Sequence, residues 1–225
     1  MSKTNFFLKY LKNIGNSINS LLEENLNKLN FKNFSYLLKN NKIILTFVAV
    51  FVLFISYLLL PTFYKQSDIS KQLKTELQNK FNLNFKFSQN LKYNIFPKPH
   101  FTTIESVISD NQNEISEINN LKIYVSYGNF FSFKNIEIRD LIIENANFNL
   151  NKKNYNFFLD LLNRSFQYAN LIIKDSNIFF RSYEEEVLFI SKIIKIKSYF
   201  DSKELKNIFY SENELFNIPF SMETF

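Results

Sequence analysis

Cysteine and tryptophan are absent from the 225 residues; glycine occurs twice, proline four times and histidine once. Without cysteine there is no disulfide staple, no thiol nucleophile and no thiolate metal site. Gly15 and Gly128 are too few and too far apart to build a phosphate-cradling loop, so the common nucleotide-binding fingerprints are missing. His100, in Pro99-His100-Phe101, has no second histidine with which to share a metal or relay a proton. It reads as a solvated loop residue. No serine stands in a nucleophile-elbow context, and carboxylate pairs such as Asp110 and Glu114 are spaced like surface charges. The inventory predicts no enzyme, no cofactor and no metal. With so few glycines and prolines, tight turns fall to Asn, Asp, Ser and Lys; of these, Asn and Asp best tolerate a left-handed backbone.

Acidic charge is scarce in one place only. Residues 1–42 carry seven lysines against Glu23 and Glu24, a net of +5 out of +6 for the whole chain. The sequence pI of about 9.2 is therefore a property of one arm. That distribution argues against nucleic acid as a partner and suits anionic lipid heads beside a membrane.

The arm leads into Ile43 to Leu60 (IILTFVAVFVLFISYLLL), 18 residues without a charge, bounded by Lys42 and Pro61. As a helix this run spans about 27 Å, close to a hydrocarbon core of about 30 Å. Phe63, Tyr64 and Lys65 suit headgroup depth and the water beyond it. A core helix of a soluble protein would show a polar side, and here only Thr46, Ser56 and Tyr57 carry polar atoms. A cleaved signal peptide fits poorly, because a long arm precedes the run and no small-x-small site comes after it. The run reads as an uncleaved signal anchor. Lysine excess on its amino side places that end in the cytoplasm and sends the carboxy-terminal residues across the membrane.

Within the arm, Phe7, Leu11, Ile14, Ile18, Leu21, Leu22 and Leu29 gather on one stripe of a helix over residues 4–30. Such a helix would lie on the inner leaflet or pack on itself or a partner. After the anchor, Ile69, Leu73, Leu77 and Phe81 mark one face of a short helix, with Ser67 or Asp68 as its cap. The period then drops to two. Leu83, Phe85 and Phe87 alternate with polar residues, and Leu91, Tyr93 and Ile95 continue up to the Pro97-Lys98-Pro99 break. Leu121, Ile123, Val125 and Tyr127 share one strand face; Ile136, Ile138, Ile142, Ala146, Phe148 and Leu150 share another. Leu171 and Ile173 precede a turn-like Lys174-Asp175-Ser176-Asn177, with Ile178 and Phe180 beyond it. Leu188, Ile190, Ile194 and Ile196 form a further face, and Glu184-Glu185-Glu186 a hairpin tip. Tyr155 to Phe166 reads as a short helix covering the sheet, and NIPFSMETF begins one more strand.

The expected fold is mainly β: an antiparallel twisted sheet with one apolar face, short helices, an amphipathic arm and one transmembrane helix. Three regions result: a cytoplasmic basic arm (1–42), an anchor (43–60) and a β-rich domain (61–225). Phe85, Phe87, Ile123, Ile138 and Phe148 are the candidate lipid-facing residues. On base rates each reads as core before it reads as lipid-facing, and sequence alone does not separate the two.

The order of parts from Ile43 onward resembles the amino-terminal region of the AsmA family of Gram-negative envelope proteins. The likeness runs through the anchor ending in Leu60-Pro61, the helix ending in LNFKF, the stretch LKYNIFPKPHFTTIESVIS and the stretch EISEINNLKIYVSYGNFFSFKNIEIRDLIIENANFNL. The family's usual glycines are replaced here by Asn or Phe, a strand-end proline by Asn145 or Ala146, and its Asn-Trp by Tyr155-Asn156-Phe157. Its large carboxy-terminal portion has no counterpart in these residues. The resemblance implies an inner-membrane anchor, a periplasmic open groove and a part in phospholipid transport and outer-membrane biogenesis. Its partners would be the phospholipid bilayer, acyl chains and envelope proteins, and it implies no catalytic residue. The alternative is a non-enzymatic periplasmic scaffold for outer-membrane protein assembly or for targeting to the membrane.

Overall fold

The computed structural model describes residues 42–224 apart from 89, 111–112, 133–135 and 163–168. The helix expected over 4–30, and the last residues of the one expected over 155–166, lie outside the described residues.

Helix α1 (Lys42–Leu59) continues into a 3₁₀ turn, Leu60–Phe63. The stretch Leu45–Phe63 is long and apolar enough to cross a membrane, and every residue from Leu45 to Phe54 is exposed. By its contacts the chain divides between Ile55 and Ser56, so the last turn of α1 belongs with the sheet.

Helix α2 (Gln66–Phe81) buries Ile69, Leu73, Leu77 and Phe81, the stripe that the spacing predicts. Its cap differs from expectation. Lys65 holds the N-cap position without a side-chain bond, and Asp68 stands inside the first turn, where a carboxylate favours the helix dipole. Asn82, left-handed with φ of 55°, ends the helix.

Nine strands come next: β1 (Asn84–Phe87), β2 (Lys92–Asn94), β3 (His100–Asp110), β4 (Asn113–Val125), β5 (Ile138–Leu150), β6 (Asn170–Arg181), β7 (Val187–Asp201), β8 (Lys206–Leu215) and β9 (Ile218–Thr224). They form one open sheet in the order β1-β3-β4-β5-β6-β7-β8-β9, with β2 paired to β3. All pairs are antiparallel except β5 with β6, which run parallel. That departs from the expected all-antiparallel sheet, and its cause is helix α3 (Tyr155–Leu162) in the connection. A parallel neighbour needs a crossover, and a helix supplies it.

Apolar alternation holds in β3 to β7 only up to one level of the sheet, then resets. Glu105, Asn145 and Asp175 have positive φ of 52°, 55° and 47°. Register puts them in one row. Glu105 and Asn145 both fall opposite Asn119, Asn145 lies beside Asp175, and Asp175 faces Ile194, where the β7–β8 register also shifts. A single left-handed residue turns the pleat over, as in a bulge. On either side of the row β3 thus buries Phe101 and Thr103, then Ser106 and Ile108, and β5 buries Leu141 and Ile143, then Ala146 and Phe148.

This row corrects three readings. Ile142 does not share the face of Ala146, from which the row separates it, nor that of Ile138, from which the register shift at Tyr124/Val125 separates it, and it is half-buried. Lys174 to Asn177 is no turn: β6 runs through it, and Asp175 absorbs the bend. Leu188, Ile190 and Ile194 are exposed, while Ser191, Ile193 and Ser198 face inward. The row is also stitched by Ser176, whose buried hydroxyl accepts the Ala146 amide at 3.0 Å and donates to Lys174 O at 2.7 Å.

The β6–β7 hairpin does turn at the three glutamates. Ser182 N donates to Glu186 O at 2.9 Å, and Glu185 takes φ of 64°. Tyr127 falls outside β4, exposed in a 3₁₀ turn.

Candidate functional site

The inner face of the sheet is filled differently along its width. Over β1, β3, β4 and the start of β5 the stripe of α2 closes it, and Leu73, Leu77, Phe81, Phe101, Leu121, Ile123 and Ile138 are fully buried. Lys80 ties the two layers, donating from Nζ to Ile138 O at 2.9 Å.

Beyond the middle of β5 no comparable helix lies on the face among the described residues. An apolar pocket of about 260 Å³ opens there, walled by Phe148, Leu150, Phe158, Leu171, Ile173, Ile178, Phe180, Ile193, Ile196, Phe209, Phe220 and Met222. Its floor is set by residue size. Ser191, Ser198 and Ser211 point inward from β7 and β8 among phenylalanines and isoleucines, so the face is hollow where it would otherwise be packed. The Ser211 hydroxyl is buried with no hydrogen-bond partner. Asn213 is the one other polar residue in the lining. An apolar cavity of about 150 Å³ is known to take up benzene; the volume here admits a larger hydrocarbon segment.

A second depression of about 300 Å³ adjoins it and shares Leu150 and Phe180. Phe180 and Phe189 stack across its wall at 4.2 Å between centroids. Lys152 and Arg181 line it. The Arg181 guanidinium is held by Asn149 Oδ1 at 2.8 Å and Glu185 O at 2.7 Å.

Of the five candidate lipid-facing residues, Phe148 lines the pocket and meets Phe158 edge-on at 6.5 Å. Phe85, Ile123 and Ile138 are buried in the cluster beneath α2. Phe87 is half-buried at its margin, 6.1 Å from Phe85, with Lys74 Nζ at 5.2 Å from its ring centroid. The structure therefore brings three of the five into closed packing and one into the pocket. Most of the pocket lies on β6–β9, and the signal that could have found it was the serines at inward positions of β7 and β8.

His100 is buried rather than solvated. Its ring stacks on Tyr124 at 4.7 Å and its Nδ1–H donates to Lys98 O at 2.7 Å, which makes it a strand-end brace. Glu114 is exposed and pairs with Lys86 at 3.7 Å. Among the described residues no three His, Cys, Asp or Glu side chains could hold a metal together. Comparison with protein-family models and with curated proteins yields no match.

Proposed function

We propose that this protein is an AsmA-like, membrane-anchored envelope protein that holds lipid acyl chains on its sheet and takes part in moving phospholipid between the inner and outer membranes. In this reading α1 is a single-pass inner-membrane anchor, the amino end is cytoplasmic, and the sheet stands in the periplasm. The charge bias of the arm supports that orientation, and the order of anchor, short helix and strands supports the family reading. One observation carries the functional part: the apolar pocket on the open half of the sheet face. Exposing apolar area to water costs about 25 cal/mol per Å², so an apolar trough lowers the barrier to carrying a chain without any covalent chemistry. Lys152 and Arg181 in the adjoining depression suit an anionic headgroup.

The test is lipid capture. A photo-crosslinker at Phe220 in the full chain should trap acyl chains in membranes, and phospholipid should copurify after detergent exchange. Ser211→Leu fills the pocket without removing a hydrogen bond, so it should abolish both signals while the protein stays folded. Protein that is empty in both measurements overturns the reading.

A scaffold role has one observation in its favour. Among the described residues strand β9 pairs only with β8 and is exposed along its length, and a strand edge left unpaired accepts a partner's strand. Crosslinks from β9 to proteins but never to lipid would favour it.

A further inference from the structure

The last turn of α1 is bolted to one loop and to strand β2 of the sheet domain. The Tyr57 hydroxyl donates to Tyr127 O at 2.6 Å and accepts the Phe130 amide at 3.1 Å. Its ring lies 5.6 Å from that of Phe130 and 4.8 Å from that of Phe131. The Tyr64 hydroxyl reaches Phe130 O and Phe131 O, each at 3.1 Å, and the Tyr93 hydroxyl donates to Leu58 O at 2.9 Å. The β2–β3 connection reaches the same end of the sheet, because Val125 N donates to Pro99 O at 3.0 Å.

Around these bolts stand large aromatic side chains that are exposed among the described residues. Phe63 and Phe96 are each 82% exposed, Phe131 79% and Tyr127 62%. The segment from Ser126 to Ser132 carries no charge, while Lys65 and Lys98 are exposed in the flanking chain.

We propose that this end of the sheet domain is inserted in the bilayer interface, with Phe63, Phe96, Tyr127 and Phe131 at the boundary between headgroups and acyl chains. Depth is the reason. The stretch able to cross a membrane extends to Phe63, and Tyr57 lies about 9 Å before Phe63 at helical rise. Whatever touches Tyr57 is therefore at or below headgroup level on the side where α1 leaves the membrane. Aromatic rings are stable at that depth, and the neighbouring lysines suit the phosphates above it. The occupant is thus the membrane that α1 itself crosses, and the inference rests on α1 crossing it.

The absence of tryptophan makes every introduced indole a unique probe. Phe131→Trp and Phe96→Trp, each in the full chain, would be reconstituted in phosphatidylcholine–phosphatidylglycerol vesicles carrying acyl-chain bromines at shallow or deep positions. Phe51→Trp reports α1, and Phe216→Trp reports the opposite end of the sheet. Expected are a blue-shifted emission and a loss of intensity with shallow bromines at Phe131→Trp and Phe96→Trp, and neither at Phe216→Trp. If Phe51→Trp is quenched while the two loop probes behave like Phe216→Trp, the insertion is refuted and the anchor stands. If Phe51→Trp is not quenched, the anchor falls with it. Equal quenching at Phe216→Trp also refutes the insertion, since the vesicle then adsorbs without regard to site.

Discussion

The two halves of one sheet face are built from the same kinds of residue and end in opposite states. Under α2, Leu73, Leu77 and Phe81 are fully buried in one cluster with Phe101, Leu121 and Ile138. From the end of β5 to β9 the face is again apolar, but Ser191, Ser198 and Ser211 line a pocket in it and no comparable helix lies over them among the described residues. The difference shows that an apolar strand face is not by itself a core. A core requires a second layer and matched side-chain volume, and only the first half has both.

Substitutions should separate the halves. The largest effect is expected under the helix: Phe81→Ala removes a fully buried ring and should cost about 3–5 kcal/mol, read by denaturant unfolding in detergent. A loss below about 1 kcal/mol would mean that α2 is not part of the folded layer. Next is the seam between the halves. Ser176→Ala leaves the Ala146 amide and Lys174 carbonyl without the hydroxyl and should cost about 1–3 kcal/mol.

The covered half should also respond to alkali. Burial pushes the Tyr93 phenol up from 10.0 to about 12, so the folded state favours the protonated form. That stabilisation is complete below pH 10.0 and is lost as pH rises towards about 12. Unfolding midpoints should fall across this window, and Tyr93→Phe should flatten the fall. The smallest effect belongs to the open half. Phe220→Ala removes an exposed ring and should change stability by no more than about 0.5 kcal/mol, yet reduce the lipid recovered with the protein. A large loss of stability there would mean that the pocket wall is core after all.

Local patterns were legible. The four-residue stripe of α2, the glutamate hairpin tip and the start of the α3 segment, Tyr155–Leu162, arise from short-range geometry, and the structure has them where the spacing predicts. Strand faces were legible only in part. Counting every second residue works until a left-handed residue inverts the pleat; nothing local marks Glu105 as such a residue, and the turn-like residues around Asp175 read as a chain reversal rather than a bend within one strand. Counting by two therefore puts Ile142, Leu188 and Ile190 on the wrong side. The buried setting of His100 was hidden for a related reason, since its stacking partner Tyr124 is distant in sequence.

By itself the amino-acid sequence determined which segments are apolar and with what period, and hence a helix long enough to cross a membrane followed by a sheet with an oily side. Which part of that side is closed, which is hollow and which aromatics ring the end of the helix were decided only in the tertiary structure. The physical reason is that these outcomes depend on volumes and registers summed across strands far apart in the chain, whereas periodicity reports each strand alone.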